Sequence, residues 1–268
     1  STNTNSVGLI TGSATSNNDQ SLALQAEIVF PDKQNYIYLD YDMPSVVSSS
    51  LFGFHTPLDP SQTSTDLTWA SAINDYGLQV YAVKSPGEYA EVYEPLKNVK
   101  DAYFIVKNRE GDTLLTSDIY TNVYENKKWN FTLSLRPQRY PFADGISGSS
   151  TVTNGYWLEL YGVNYDSGDK QNSFAISSSY TSLSGSTILS GAKRIYAGAH
   201  RTNYTGSTLT STDVKASSIR YWSDYLPSTT LDLQAKSSDA YGRNNPYKNA
   251  YSYQTTVPSV FIPKIATL

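Results

Sequence analysis

The sequence predicts an all-β chain, a sandwich of two antiparallel sheets with one short helix near its C-terminal end. Three observations carry this. Short apolar segments alternate with polar or small residues at period two, the repeat of a strand with one buried face. Gly, Pro, Asn and Asp punctuate them at short, even spacing, as sandwiches and barrels require. A single stretch, Ser228 to Lys236, reads as helix, with Ser228 or Thr229 the expected N-cap and Leu231, Leu233 and Ala235 inside.

Taken in order, residues 1–20 read as a polar leading segment or linker with one apolar patch, Val7 to Ile10. In the first core strand Leu22, Leu24, Ala26, Ile28 and Phe30 alternate with polar or small residues and stop at Pro31. Further strands are expected at Tyr36–Tyr41, Leu51–His55, Leu78–Val83, Tyr89–Tyr93 and Ala102–Lys107. Gly111-Asp112 separates the last of these from Thr113–Ser117 and marks a hairpin. The clearest strand is Lys128–Arg136, closed by Pro137. It places Trp129, Phe131, Leu133 and Leu135 on one face and Asn130, Thr132 and Ser134 on the other, which is expected to be solvated. Gly155–Val163 and Asn172–Ser177 flank a second hairpin, Tyr165–Asp169, and Arg194–Ala199 and Ala216–Trp222 complete the strands. The sandwich thus spans residues 21–236. Residues 237–268, Tyr-rich and broken by Pro258 and Pro263, read as an extended arm or a lead into a further domain, expected to order on a neighbouring subunit.

Composition narrows the function. The 268 residues are 39% hydrophobic and 16% charged, with 23 Tyr, a residue that fills strand surfaces and also offers a polar tip for wet contacts. A net charge of −4 and a pI near 5.2 argue against nucleic acid, and basic residues cluster no further than pairs such as Lys127-Lys128. No apolar run approaches the roughly 20 residues of a membrane helix, so no membrane insertion is expected. The opening residues carry no charged-then-apolar leader, and no targeting segment is expected in them. Cys is absent, which excludes disulfides and thiolate chemistry and favours cytoplasmic synthesis.

The order of these landmarks resembles the concanavalin A-like, laminin-G-like jelly-roll family. LALQAEIVFPDK is similar to its first core strand, KKWNFTLSL to its Trp-bearing strand, and YWLELYGVNYDSGD to the strand entering its Asp-Gly hairpin. The block from RIYAGAHRTNYTGS through DVKASSIRYW to LPSTTLDLQ resembles its closing strands and short helix. The resemblance covers residues 20–236, and its closing block looks most like versions of the module in bacteriophage structural proteins. One departure is the loop from Ala199 to Asp213, longer than the family's usual link.

Candidate chemistry is thin. Glycosidases of related fold set carboxylates at alternate strand positions, on one face. Glu88, Glu91 and Glu94 are spaced by three, which puts successive carboxylates on opposite faces of a strand, and Asp40 and Asp42 alternate without a third. Neither His55 nor His200 accompanies a nucleophile elbow or a zinc-ligand spacing. Asp166 and Asp169 straddle Gly168; the resemblance implies that such a rim can hold calcium, while the plainer reading is turn chemistry. Asn130 and Asn203 head glycan-acceptor sequons.

The expectation is therefore a non-catalytic virion structural module, oligomeric with neighbouring virion subunits, assembled in the host cytoplasm and able to contact a cell-surface polysaccharide. Its rim candidates for ligand binding are Tyr165, Asp166, Asp169, His200, Arg201, Asn203 and Tyr204, with no catalytic residue, no metal and no cofactor beyond calcium. The rival readings are a cementing protein without ligand and a secreted polysaccharide-active enzyme.

Overall fold

Alternation of large apolar residues with small or polar ones gives most of this chain two-faced strands, and these stack face to face. The computed structural model describes residues 21–32, 47–56, 76–85, 99–138 except 109, 155–181, 185, 188–189, 194–198, 200–201, 208–210, 212–222, 225–237, 240 and 265–267. The strands are β1 (Leu22–Phe30), β2 (Ser48–Thr56), β3 (Tyr76–Lys84), β4 (Ala102–Asn108), β5 (Thr113–Thr116), β6 (Lys127–Pro137) and β7 (Tyr156–Asp166). They continue with β8 (Asp169–Tyr180), β9 (Arg194–Ala197), β10 (His200–Arg201), β11 (Thr208–Thr210), β12 (Lys215–Trp222) and β13 (Ile265–Thr267). Helix α1 spans Ser228–Lys236. One sheet runs β13-β12-β1-β6-β7-β8 and the other β5-β4-β3-β2-β9, while β10 and β11 form a separate ribbon. This is the two-sheet antiparallel sandwich that the sequence predicts.

Between the sheets, registered rows of side chains form the core. Leu24, Leu133 and Leu160 pair across β1, β6 and β7, and Ala26, Phe131 and Gly162 form the next row. Phe52, Phe54, Leu78, Val80, Phe104 and Val106 face them from the second sheet, all fully buried. The centre is aromatic: Phe104 meets Phe131 edge-on at 4.7 Å and Trp129 at 5.1 Å, and stacks on Phe174 at 5.6 Å. Gly162 makes room for that stack. A Cβ there would lie 2.4 Å from the Phe174 ring, so Gly162→Ala should destabilise the fold by about 1–3 kcal/mol through overpacking, measured by denaturant unfolding.

The outer face of the six-stranded sheet departs from expectation. Thr132 and Ser134 are only 3% and 4% exposed, and Gln25 and Glu27 are buried as well. Helix α1 lies over them. Gln25 donates to Gln234 at 2.6 Å and accepts from the indole of Trp222, while Tyr161 donates to Asp232 at 2.5 Å and Lys170 to Asp232 at 2.6 Å. A polar face can thus be dry when a helix returns matching polar groups. Asn130, half-buried, also lines the narrow space beneath α1, with its amide nitrogen shielded where a solvated group was expected. The helix bounds agree with the expected ones, but Pro227 is the N-cap, without a side-chain cap bond, in place of Ser228 or Thr229.

At one end of the core an ion pair is sealed between segments. Lys84 Nζ lies 2.7 Å from Asp213, with side chains 1% and 5% exposed, and sits 4.5 Å from the centre of the Tyr124 ring. Asp213 also accepts from Tyr124 at 3.1 Å and from Ser49. Burial, reinforced by the Asp213 charge, pushes the Tyr124 phenol well above its ordinary value of 10; burial does the same to Tyr221. Because the folded pKa exceeds the unfolded one, this contribution to stability is complete below pH 10 and is lost as pH climbs through the raised values. Denaturation midpoints should fall steadily above pH 10, and less steeply in Tyr124→Phe.

The arm expectation fails where it can be followed. Ile265–Thr267 pairs antiparallel with Arg220–Trp222 and so extends the chain's own sheet, which removes the argument that this segment orders on a neighbour. The expected strands at Tyr36–Tyr41 and Tyr89–Tyr93 lie outside the described residues.

Candidate functional site

The outer face of the five-stranded sheet gathers polar chemistry from strands far apart in sequence. Because Phe52 and Phe54 point into the core, Gly53 between them faces outward. It pairs with Gln79 of β3 and Tyr196 of β9, and Gln79 pairs with Lys107 of β4. The result is one row, Tyr196–Gly53–Gln79–Lys107, crossing four strands at about 4.8 Å each. Tyr81 and Tyr103 stand on the same face one and two steps along, with the Lys107 ammonium 5.8 Å from the centre of the Tyr81 ring. In the other direction His55 pairs with Gly77 and with Arg194.

Gln79 is the centre of this row. It is 1% exposed, and its Nε2 donates to Ser50 Oγ at 2.7 Å. Its Oε1 is buried with no hydrogen-bond partner among the described residues. Leaving a buried acceptor unpaired costs about 1–3 kcal/mol, so such an atom needs an explanation. It lies in the space that glycine leaves: a Cβ on Gly53 would come within 2.0 Å of Oε1 and 2.4 Å of the Leu78 carbonyl oxygen. A shift in register between Ser50 and Phe52 marks a bulge beside it, a feature that re-aims side chains near sites. Gly53→Ala should therefore displace the amide and lose any function of this face; an unchanged activity with an unchanged fold would show that the cradle is idle.

The expected rim residues are placed elsewhere and fall into two groups. Tyr165 and Asp166 end β7 and Asp169 opens β8, joined by Ser167 and Gly168 with φ of 52° and 93°, a two-residue hairpin turn. Asp166 is exposed, 3.4 Å from Lys127, and its other close bond comes from the Ser167 hydroxyl at 3.2 Å, which is turn chemistry. Tyr165 instead neighbours the helix, with the ammonium of Lys236 5.4 Å from its ring. His200 and Arg201 form β10 in the ribbon with β11, whereas Asn203 and Tyr204 lie outside the described residues, as do Asp40, Asp42, Glu88, Glu91 and Glu94. Among the described residues no three His, Cys, Asp or Glu converge as a metal site.

No family model and no curated protein matches the chain. Among solved structures it is similar to the marine PL-14 alginate lyase from Aplysia kurodai, at 8% identity over 79% of this chain and 72% of that one, with a TM-score of 0.37. A likeness at that level carries no argument about activity or substrate. The virion-module reading is nevertheless set aside, because Ile265–Thr267, in the arm that argued for assembly, pairs within the chain's own sheet.

Proposed function

We propose that the chain is a polysaccharide-active enzyme of concanavalin A-like jelly-roll form, working on an acidic polymer at the outer face of its five-stranded sheet. The row Tyr196–Gly53–Gln79–Lys107 carries the reading, with its buried, unsatisfied amide oxygen. Its chemistry favours elimination. Hydrolysis of a glycoside runs through two carboxylic groups, whereas this row holds a phenol, an amide and an ammonium. Elimination from a uronate needs a cation to neutralise the carboxylate and a base that takes the proton from the carbon beside it and returns that proton to the departing glycosidic oxygen, as the C–O bond breaks and a carbon–carbon double bond forms. Lys107 suits the first task, and the Tyr196 phenol, whose hydroxyl is buried in this structure and must be uncovered by the bound polymer, the second.

The test is incubation with alginate and polygalacturonate, with a neutral β-glucan as control. Unsaturated non-reducing ends should appear on a uronate polymer, read by ultraviolet absorbance, and Tyr196→Phe should slow their release by roughly a hundredfold to ten-thousandfold, the range of a lost acid–base group. New reducing ends without unsaturation would replace elimination by hydrolysis. No scission of either uronate polymer would overturn the reading.

A further inference from the structure

We infer that the outer edge of β8 is an interaction surface whose occupant is a second copy of this chain, joined strand to strand. Among the described residues the two sheets end on β13, β8, β5 and β9. β13 has three residues and β5 and β9 have four each, and β5 meets β4 across a register shift. Short or irregular edges of this kind resist pairing with another chain. β8 is 12 residues long, and from Asn172 to Tyr180 it follows β7 without a shift. Gln171 to Tyr180 contains no charged residue and no Pro, the usual means of blunting an edge. Among the described residues no strand pairs with its other side.

Water satisfies bare backbone groups almost as well as a strand does, so apolar surface beside them must supply the pull. It is present. Ile119 is 56% exposed, and it precedes Tyr120, whose ring stacks on Phe174 of β8 at 5.5 Å. Ile176 and Tyr180 are half-buried on the core side of the same strand. The outward face carries Ser173, Ala175, Ser177 and Ser179, all exposed and all too small to hold two strands apart. A foreign strand would need pockets for alternate side chains to be selected, and serine and alanine provide none. A second copy needs no pocket, because a two-fold axis supplies the same neutral strip in the antiparallel sense. Centred on Ser177, such a pairing sets Ala175 opposite Ser179 and Phe174 opposite Tyr180 of the other copy, an aromatic cross-strand pair on the core side.

Sedimentation velocity on the full chain tests this across a concentration series from the low-micromolar range upward. The mass should rise from the 29.6 kDa of one chain to twice that value. Ala175→Lys with Ser179→Lys, and Ala175→Glu with Ser179→Glu, place like charges opposite each other across the axis. Each doubly substituted protein should associate roughly tenfold or more weakly, and an equimolar mixture of the two should recover dimers. Thermal melting identifies a variant that has merely unfolded. Independently of any variant, the backbone amides of β8 should exchange hydrogen more slowly as the native chain is concentrated. A native chain that stays monomeric throughout overturns the inference, as does a dimer that both charged variants form as readily as the native chain. The proposed function stands either way, since it concerns the other sheet.

Discussion

Asp213→Ala should destabilise the protein by about 3–5 kcal/mol, because it strands Lys84 without its carboxylate inside the sandwich. The alanine also removes the acceptor for the Tyr124 hydroxyl and for Ser49. The cost is of breaking the pair, not the worth of the pair, so a second change should recover much of it. Converting Lys84 to Met and Asp213 to Leu together replaces two buried charges by apolar groups of similar size, a change that is often neutral or favourable. Urea unfolding of the three proteins distinguishes these cases. If Asp213→Ala is nearly silent, the network does not seal the core end as described.

Phe131→Ala should cost about 3–5 kcal/mol. Its ring lies within 6.5 Å, centre to centre, of Phe30, Phe52, Phe104, Trp129 and Phe174, and the side chain is fully buried. Few of these rings can fold into the vacated volume, since each is pinned by a strand, so the cavity persists. Denaturant midpoints should fall without a change in slope. A loss below about 1 kcal/mol would mean that the two sheets re-close over the gap.

The strand faces were legible because core burial writes itself as period two, and Trp129, Phe131, Leu133 and Leu135 are buried as expected. What lies on the opposite face was not. Gln25, Glu27 and Thr132 have the same polarity whether they meet water or a helix, and only the return of α1 decides. The candidate site was hidden for a related reason. Gln79, Lys107 and Tyr196 belong to three strands, and nothing local joins them until the register does. One signal was present: Gly53, flanked by Phe52 and Phe54, is the kind of strand glycine that marks a close approach. Acidic spacing and hairpin or loop residues stand out locally instead, and among them Asp166 shows turn chemistry.

The place of β1 has a consequence for how the chain reaches its fold. This strand sits between β6 and β12, so its two neighbours are supplied by residues 127–137 and 215–222. As the polypeptide emerges during synthesis, β1 presents two unpaired edges until β6 arrives, and one until β12 does. The hairpins β3–β4–β5 and β7–β8 close with their sequence neighbours and can form early. Such non-local pairing makes folding slow and leaves an apolar strand edge available to other chains meanwhile. Yield in a cell should therefore depend more on temperature and chaperone supply than the stability of the finished sandwich would suggest.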